Sequence, residues 1–443
     1  MRHSLARLTA LRGEIGWVVA GQAAAAIGAL VSIKVLTSWL GPEAYGQLAI
    51  GLAIAGALHL FMYGPVEQTV LRFASLAVER GQLGSCVDSI ESTHRHIAAG
   101  LLACGAIASL ALALAGKAHW AWLAMLSTLL GLTIGAGASA ASGLTAWRQR
   151  RLVAMHQAAD AWLRLLFALA ALWIAGASPL AALCGILLAA ACVATSQVRR
   201  ARRQARLRMA DEPAPDAASA ADARAQMRAY ALPFIAFAAF AAIGAYADRW
   251  LVLVLLDPAS VGLYAALLQL ASAPVALFVA MTNQLVVPVI FSRAGKARGP
   301  SEIADARRLA RWLLWWYGAA LSGAVAAAWL LAPLLVPLLT NDTFAAASGL
   351  LWLLVLGAAL FAVGQAMVLS GLAAVRPGIY IIPKAVQAAA LVACAWLLVP
   401  RFGLPGMAWA TVAAAALYIL SVHLTNRSLS PTLAGPRTST NAE

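Results

Sequence analysis

Residues 40–49 read Leu40-Gly41-Pro42-Glu43-Ala44-Tyr45-Gly46-Gln47-Leu48-Ala49, and the chain returns to this pattern as Leu256-Asp257-Pro258-Ala259-Ser260-Val261-Gly262-Leu263-Tyr264-Ala265. Leu, Pro, Gly and Ala recur at one fixed offset. Each copy is a short break between two long apolar stretches, where Pro opens a helix well and Gly lets another backbone come close. A weaker echo pairs Pro179-Leu180-Ala181-Ala182 with Pro405-Gly406-Met407-Ala408. An internal repeat at this distance predicts two related halves.

Working outward from the two breaks, apolar stretches near 15–39, 46–66, 96–116, 120–146, 155–176 and 179–198 make up the first half. Those near 230–256, 262–292, 312–338, 344–370, 377–399 and 403–425 make up the second. A bilayer core of about 30 Å needs roughly 20 apolar residues of helix. With 63% apolar residues, 11% charged and a mean hydropathy of +0.82, a water-soluble fold is excluded. Long Ala/Leu/Val runs without a period of two exclude a membrane β-barrel. The first stretch follows Arg2, Arg7 and Arg12 as a leader peptide would, but its length and its continuation into a second stretch predict a retained helix.

The net charge of +15 takes its meaning from where the 32 Lys and Arg residues fall. With the N-terminus inside, 26 lie in cytoplasmic segments, whereas only Lys117 and Arg401 lie outside. Lys34, Arg164, Arg249 and Lys384 fall within apolar stretches. The bias predicts both termini in the cytoplasm and an even number of spans. The basic run Arg199 to Arg208 then reads as topology and contact with anionic membrane lipid rather than as a nucleic-acid site. It passes into Asp211–Asp222, rich in Pro, Ala and Asp, which reads as a linker. The expected organisation is a six-helix bundle over 1–208, a cytoplasmic linker over 209–228, a second bundle over 229–427 and a disordered tail over 428–443. The fold class is all-α: a polytopic membrane protein of about 12 transmembrane helices, its six-helix bundles related by a pseudo-two-fold axis along the membrane normal. Parallel repeats of this kind enclose a central site that opens to each side in turn, so transport is the expected activity.

Three stretches resemble the polysaccharide biosynthesis flippases, those of O-antigen and related lipid-linked oligosaccharides, within the multidrug/oligosaccharidyl-lipid/polysaccharide exporter superfamily. These are Thr37-Ser38-Trp39-Leu40-Gly41-Pro42-Glu43-Ala44-Tyr45-Gly46, then Tyr246-Ala247-Asp248-Arg249-Trp250, then Val261-Gly262-Leu263-Tyr264-Ala265. The resemblance implies two bundles that rock between inward- and outward-facing states. It also implies an undecaprenyl-pyrophosphate-linked oligosaccharide as cargo, the bacterial inner membrane as location, and glycosyltransferases and a polysaccharide polymerase as partners.

Intramembrane charge supplies the candidate binding residues, because a basic side chain at the bilayer centre costs roughly 2.5–3.5 kcal/mol and usually faces a cavity or a partner. Arg249 either lines a cavity or pairs with Asp248, and Lys34 either lines it or snorkels. Gln157, Asp160 and Arg164 form one helical stripe, and Tyr380, Lys384 and Gln387 form another. Asp160 and Arg164 read as an internal pair, whereas Lys384 has no partner nearby in sequence. Gln269, Ser272 and Asn283 offer hydrogen bonds to sugar hydroxyls or to neighbouring helices. The predicted substrate contacts are Lys34, Arg249, Lys384, Arg164 and Asn283. Pyrophosphate attracts such cations strongly once water is excluded. A cation exporter should carry unpaired carboxylates instead, and the intramembrane acids are read as Asp160 and Asp248 alone, each beside a basic residue.

No Gly-x-x-x-x-Gly-Lys-Ser/Thr loop and no His-Glu-x-x-His motif occurs, and the five cysteines lack metal-ligand spacing. No cofactor or metal is expected. His59, deep in a stretch, reads as a packing residue. A membrane-embedded glycosyltransferase or glycan polymerase would need acidic catalytic groups and a sizeable external loop, while the external segments here hold only Glu43, Asp257 and Asp342 as acids. The expectation is a transporter and not an enzyme, with a multidrug exporter on the same fold as the other alternative.

Overall fold

The computed structural model describes residues 2–210, 217–285, 300–372 and 377–433, some segment ends, Asn283 among them, by backbone alone. Among the described residues, eleven segments are long and apolar enough to cross a membrane. The first, Val19–Glu79, contains two crossings, because helix α1 (Arg2–Leu58) is broken at Gly41. Gly41 takes φ 68° and ψ 176°, a backbone state that side chains resist, and Pro42 restarts the helix. Twelve crossings follow. The second arm of α1 continues through a π-helical turn, His59–Tyr63, into α2 (Gly64–Glu79). The first half is completed by α3 (Leu83–Leu114), α4 (Ala118–Ala146), α5 (Arg150–Ala175) and α6 (Pro179–Met209).

The second half comprises α7 (Ala217–Leu255), α8 (Pro258–Leu285), α9 (Pro300–Leu339), the single turn α10 (Asp342–Ala345), α11 (Leu351–Leu372), α12 (Ile381–Phe402) and α13 (Leu404–Leu433). Its packing repeats that of the first. The pairs α1–α5, α3–α4, α4–α6 and α5–α6 correspond to α7–α12, α9–α11, α11–α13 and α12–α13. The two-bundle, all-helical architecture expected from the repeat is therefore present. Basic turns and helix ends, including Arg148–Arg151 and Arg199–Arg208, mark one face of the molecule, here the basic face. Gly41, Asp257 and Thr340 mark the opposite face.

Helix α7 begins at Ala217, inside the segment read as linker, and α13 runs to Leu433, into the segment read as tail. Residues 217–227, Ala-Ala-Ser-Ala-Ala-Asp-Ala-Arg-Ala-Gln-Met, lack an apolar period but are nearly all good helix formers. Helix propensity carries the element where amphipathicity is missing.

Candidate functional site

The repeated motif of 40–49 and 256–265 forms the contact between the halves. A Cβ added to Gly46 would collide with the Pro258 carbonyl, and one added to Gly262 would collide with the Pro42 carbonyl. The two contacts are equivalent under rotation about one pseudo-two-fold axis. Small residues let helix backbones touch in a membrane. Here they cross the second arm of α1 over α8 near the opposite face. Tyr45 reinforces the crossing, its hydroxyl donating to Gln269 Oε1 at 3.1 Å and its ring standing edge-on to Phe344 at 6.1 Å. Gln269 thus serves helix association in this conformation. Farther along the same arm, Gly56 abuts the ring of Tyr246 on α7.

Beside the crossing, Lys34 reaches from α1 to the C-terminal end of α9. Its Nζ donates to the Pro337 carbonyl at 3.1 Å and also to the Thr340 carbonyl. Asn341 returns the contact, its Nδ2 donating to the Thr37 carbonyl at 3.0 Å. Helix C-termini leave carbonyls unpaired and carry partial negative charge, which suits an ammonium group. Lys34 and Asn341 together form a two-way latch across the halves.

Arg249 lies behind the crossing. Its Nη1 donates to Asp248 Oδ1 at 2.9 Å and to the Ala245 carbonyl at 2.9 Å. Asp248 also accepts from the Arg249 backbone at 2.8 Å and from the Tyr264 hydroxyl of α8 at 2.9 Å. Of the two readings of Arg249, the conformation shown has the pair.

In the first half, α4, α5 and α6 enclose a polar cavity of about 350 Å³. Arg164 and Asp160 face it and pair at 2.9 Å, each about 30% exposed (28% and 29%). Gln157 also faces it and accepts from Gln22 at 3.1 Å. One wall is Glu67 of α2, whose carboxylate lies 2.7 Å from His59 Nε2. One sequence reading is corrected here. Glu67 is a third acid among the spans, because the helix continues to Glu79 beyond the apolar stretch that ended at 66, and it supplies the hydrogen-bond partner of His59. In a straight α-helix residues eight apart lie about 80° out of line. The wider π-helical turn between them unwinds the helix and closes that gap.

The second half holds Lys384 instead. It is 4% exposed, donates to Gln387 Oε1 at 3.0 Å, and lies 4.2 Å from the Phe361 ring centre and 4.8 Å from that of Tyr418. No carboxylate lies within ion-pair distance among the described residues. Tyr418 is fixed by Gln365 at 3.1 Å, and Tyr380, the first member of the predicted stripe, by Asn426 at 2.6 Å. Burying the ammonium costs about 2.5–3.5 kcal/mol. Two ring contacts of about 1 kcal/mol each and one charged hydrogen bond of about 1.5 kcal/mol offset it. Among the predicted contacts, Lys34 and Arg249 thus lie near the crossing, Arg164 in the first-half cavity and Lys384 in an aromatic cage. The Asn283 side chain lies outside the described residues. His59, Glu67 and Tyr45 were missed as site residues.

A sequence model of the polysaccharide biosynthesis protein family matches residues 11–293, well over half of the chain. The chain belongs to that family. No curated protein sequence matches it significantly. Solved structures extend the likeness over the whole length. An inward-facing multidrug resistance MATE family transporter of the MOP superfamily matches with a TM-score of 0.66 at 12% identity, over 95% of this chain and 96% of that one. The lipid II flippase MurJ, in an inward closed conformation, matches with a TM-score of 0.66 at 15% identity, over 91% of this chain and 86% of that one. An outward-facing MATE family transporter matches with a TM-score of 0.53 at 13% identity, over 95% and 96%. At these identities the likeness establishes the fold. The family membership agrees with the resemblance carried by the Leu-Gly-Pro turn.

Proposed function

We infer that this family member flips an undecaprenyl-pyrophosphate-linked oligosaccharide across the bacterial inner membrane by alternating access, in O-antigen, capsule or exopolysaccharide synthesis. It moves its cargo without converting it, and it works beside glycosyltransferases and a polysaccharide polymerase. The observation that carries the reading is the reciprocal Gly46–Gly262 crossing with its Lys34–Asn341 latch, which closes one end of two pseudo-symmetric bundles. The positive-inside bias makes the basic face cytoplasmic, so the closed end is external and the conformation is inward-facing. Higher similarity to inward-state than to outward-state structures of the fold supports this. Release of the latch frees Lys34, and separation of α1 from α8 uncovers Arg249. Those cations, with Arg164, Lys384 and Asn283, then serve the pyrophosphate and sugar groups as the bundles 1–208 and 229–427 rock.

A second reading, export of an organic cation, is favoured by one observation: Glu67 and Asp160 both face the first-half cavity. Reconstituted vesicles separate the two. The flippase reading predicts that a fluorescent undecaprenyl-pyrophosphate oligosaccharide changes leaflet in wild type and moves more slowly in well-folded Arg249→Ala. No movement of the lipid with or without an ion gradient, together with uptake of a cationic dye lost in Glu67→Gln, gives the second reading.

A further inference from the structure

Helix α3 enters the membrane from the basic face with Ser85, Ser89, Ser92 and Arg95 recurring at helical spacing on one side. Opposite them, one turn apart on α7, stand Arg224 and Arg228. Together they wall a polar pocket of about 440 Å³ that belongs neither to the crossing nor to the first-half cavity. Two carboxylates, Asp88 and Glu91, share the wall, but Glu91 is held by Arg202 at 3.0 Å. The surplus charge of the pocket is positive.

The pocket is held in place from beneath. Met227, between the two α7 arginines, is buried with Ala77, Leu83, Cys86 and Ala205, which ties α7 to α2, α3 and α6. Tyr230, one turn on, stacks edge-on against Phe73 at 5.6 Å and under the Arg72 guanidinium at 4.7 Å. These contacts belong to the first half, whereas α7 leads into the second.

Two observations point to a ligand. The Ser85 hydroxyl lines the pocket, is buried and has no hydrogen-bond partner. Buried hydroxyls are nearly always bonded, so an acceptor belongs there. Depth identifies the acceptor. Arg95 is followed at Ile97 by the apolar run of α3, and Arg228 is followed at Ala231 by that of α7, which puts both guanidinium groups at the level of lipid phosphates. Arginine is suited to that geometry, since its fork donates in pairs to phosphate oxygens.

We propose that the α3–α7 pocket binds the phosphate of a lipid headgroup in the cytoplasmic leaflet. The shared chemistry is a lipid-borne phosphate. It comes either from an anionic phospholipid or from a polyprenyl pyrophosphate waiting at the membrane surface. The inference depends on the inward orientation of the basic face and not on the cargo being a glycan carrier. A lipid seated there bridges the first half to the leading turns of the second.

The test uses the purified full-length protein in a neutral detergent, titrated with phosphatidylglycerol, phosphatidylcholine and a polyprenyl pyrophosphate, with bound lipid counted by native mass spectrometry. Wild type should retain at least one of the two anionic lipids and release phosphatidylcholine. Arg95→Gln/Arg228→Gln should lose about tenfold in affinity, as removal of two charged hydrogen-bond donors implies, while Arg401→Gln on the other face changes nothing. Ser85→Ala should bind two- to threefold more weakly while its thermal midpoint holds or rises, since the removed hydroxyl was unbonded. A merely structural serine would move both readouts down together. Retention of phosphatidylglycerol alone supports a phospholipid site, and retention of the pyrophosphate alone supports a waiting site for the carrier. Undiminished binding of both anionic lipids to the well-folded double variant overturns the proposal. If vesicles show no glycan-carrier movement while the double variant still loses phosphatidylglycerol, the cargo reading falls and the phosphate site stands.

Discussion

The two halves of this protein share a backbone plan and differ in how they keep charge inside it. Away from the crossing, where the halves contribute Lys34 and the Arg249–Asp248 pair, the first half pairs Asp160 with Arg164 and sets Glu67 against His59, around a cavity open enough to leave the Asp160–Arg164 pair about 30% exposed (28% and 29%). There the second half buries Lys384, with a single amide and two rings about it. Pseudo-symmetry is thus a property of helix packing and not of chemistry. Paired charges suit a wall that fills with water and empties again, because each partner screens the other when water leaves. A caged lysine instead places a single amine among aromatic rings, with no carboxylate against it among the described residues. What the halves share and what separates them can be perturbed one at a time.

What they share is the crossing, and disturbing it should have the largest effect. Gly46→Ala and Gly262→Ala each push a Cβ into a backbone carbonyl that cannot rotate away. Overpacking of this kind costs about 1–3 kcal/mol, and about 1.4 kcal/mol is a tenfold change in an equilibrium. Both variants should lose transport by roughly tenfold or more and expose Glu43→Cys to an impermeant thiol reagent. The two losses should be alike, since the contacts are reciprocal. If only one variant is impaired, the crossing is not the symmetric hinge its geometry suggests.

The charge contrast predicts opposite stability signs. Asp160→Ala leaves Arg164 unpaired and should cost about 2 kcal/mol, less than a fully buried pair because water still reaches it. Asp160→Ala/Arg164→Ala should recover much of that loss. Lys384→Met removes a buried charge and strands only the neutral Gln387 amide, not an opposite charge, so stability should hold or rise by about 1 kcal/mol while transport falls. Thermal unfolding beside a vesicle assay checks both. A Lys384→Met protein that unfolds more easily would mean that the cage needs its cation structurally, and the contrast between the halves would collapse.

How far this contrast was legible in the sequence depended on the range of the signal. The crossing was readable because its parts recur: Pro42 with Pro258 and Gly46 with Gly262 stand in equivalent breaks, and repetition marks a contact on the symmetry axis. The Asp160–Arg164 pair was readable because residues four apart share a helix face. Lys34 was visible only as an intramembrane cation, since its carbonyl partners at Pro337 and Thr340 lie some 300 residues away and carbonyls leave no sequence signature. Glu67 was missed for another reason. Apolar runs measure where the hydrocarbon ends and not where the helix ends, and a π-helical turn at 59–63 changes the facing of everything after it. The Lys384 cage drew Phe361 from α11 and Tyr418 from α13, and no local period relates them.

The latch is the next test, because it joins the halves without obeying their symmetry. Lys34→Met should weaken closure by about 1 kcal/mol, the net worth of a charged hydrogen bond near a surface. Asn341→Ala should do about the same, and the double variant should add little, since either loss already parts the first arm of α1 from the end of α9. Double electron–electron resonance between labels beside the Gly41 break and at the end of α9 would report a longer population in each variant. Additive effects would show two independent contacts rather than one latch.

The smallest effect lies in the turn where the repeats diverge, Gly41 in the first half and Asp257 in the second. Asp257 accepts from the Ser260 backbone and hydroxyl, both at 2.8 Å, and so caps α8. Those hydrogen bonds, the backbone one foremost, hold its carboxyl below the usual carboxylate range. A carboxylate lowered on folding contributes fully above its unfolded value and loses that contribution as pH falls through the folded one. Asp257→Ala should therefore destabilise the first turn of α8 by about 0.5 kcal/mol at neutral pH. The difference from wild type should hold down to about pH 5 and shrink below about pH 4. Amide exchange in that turn is the readout, with the turn after Gly41 in a Glu43→Gln background as internal comparison, since no carboxylate then remains there to titrate. Equal sensitivity of both turns to acid would trace the effect to the crossing as a whole, and Asp257 would lose its separate role.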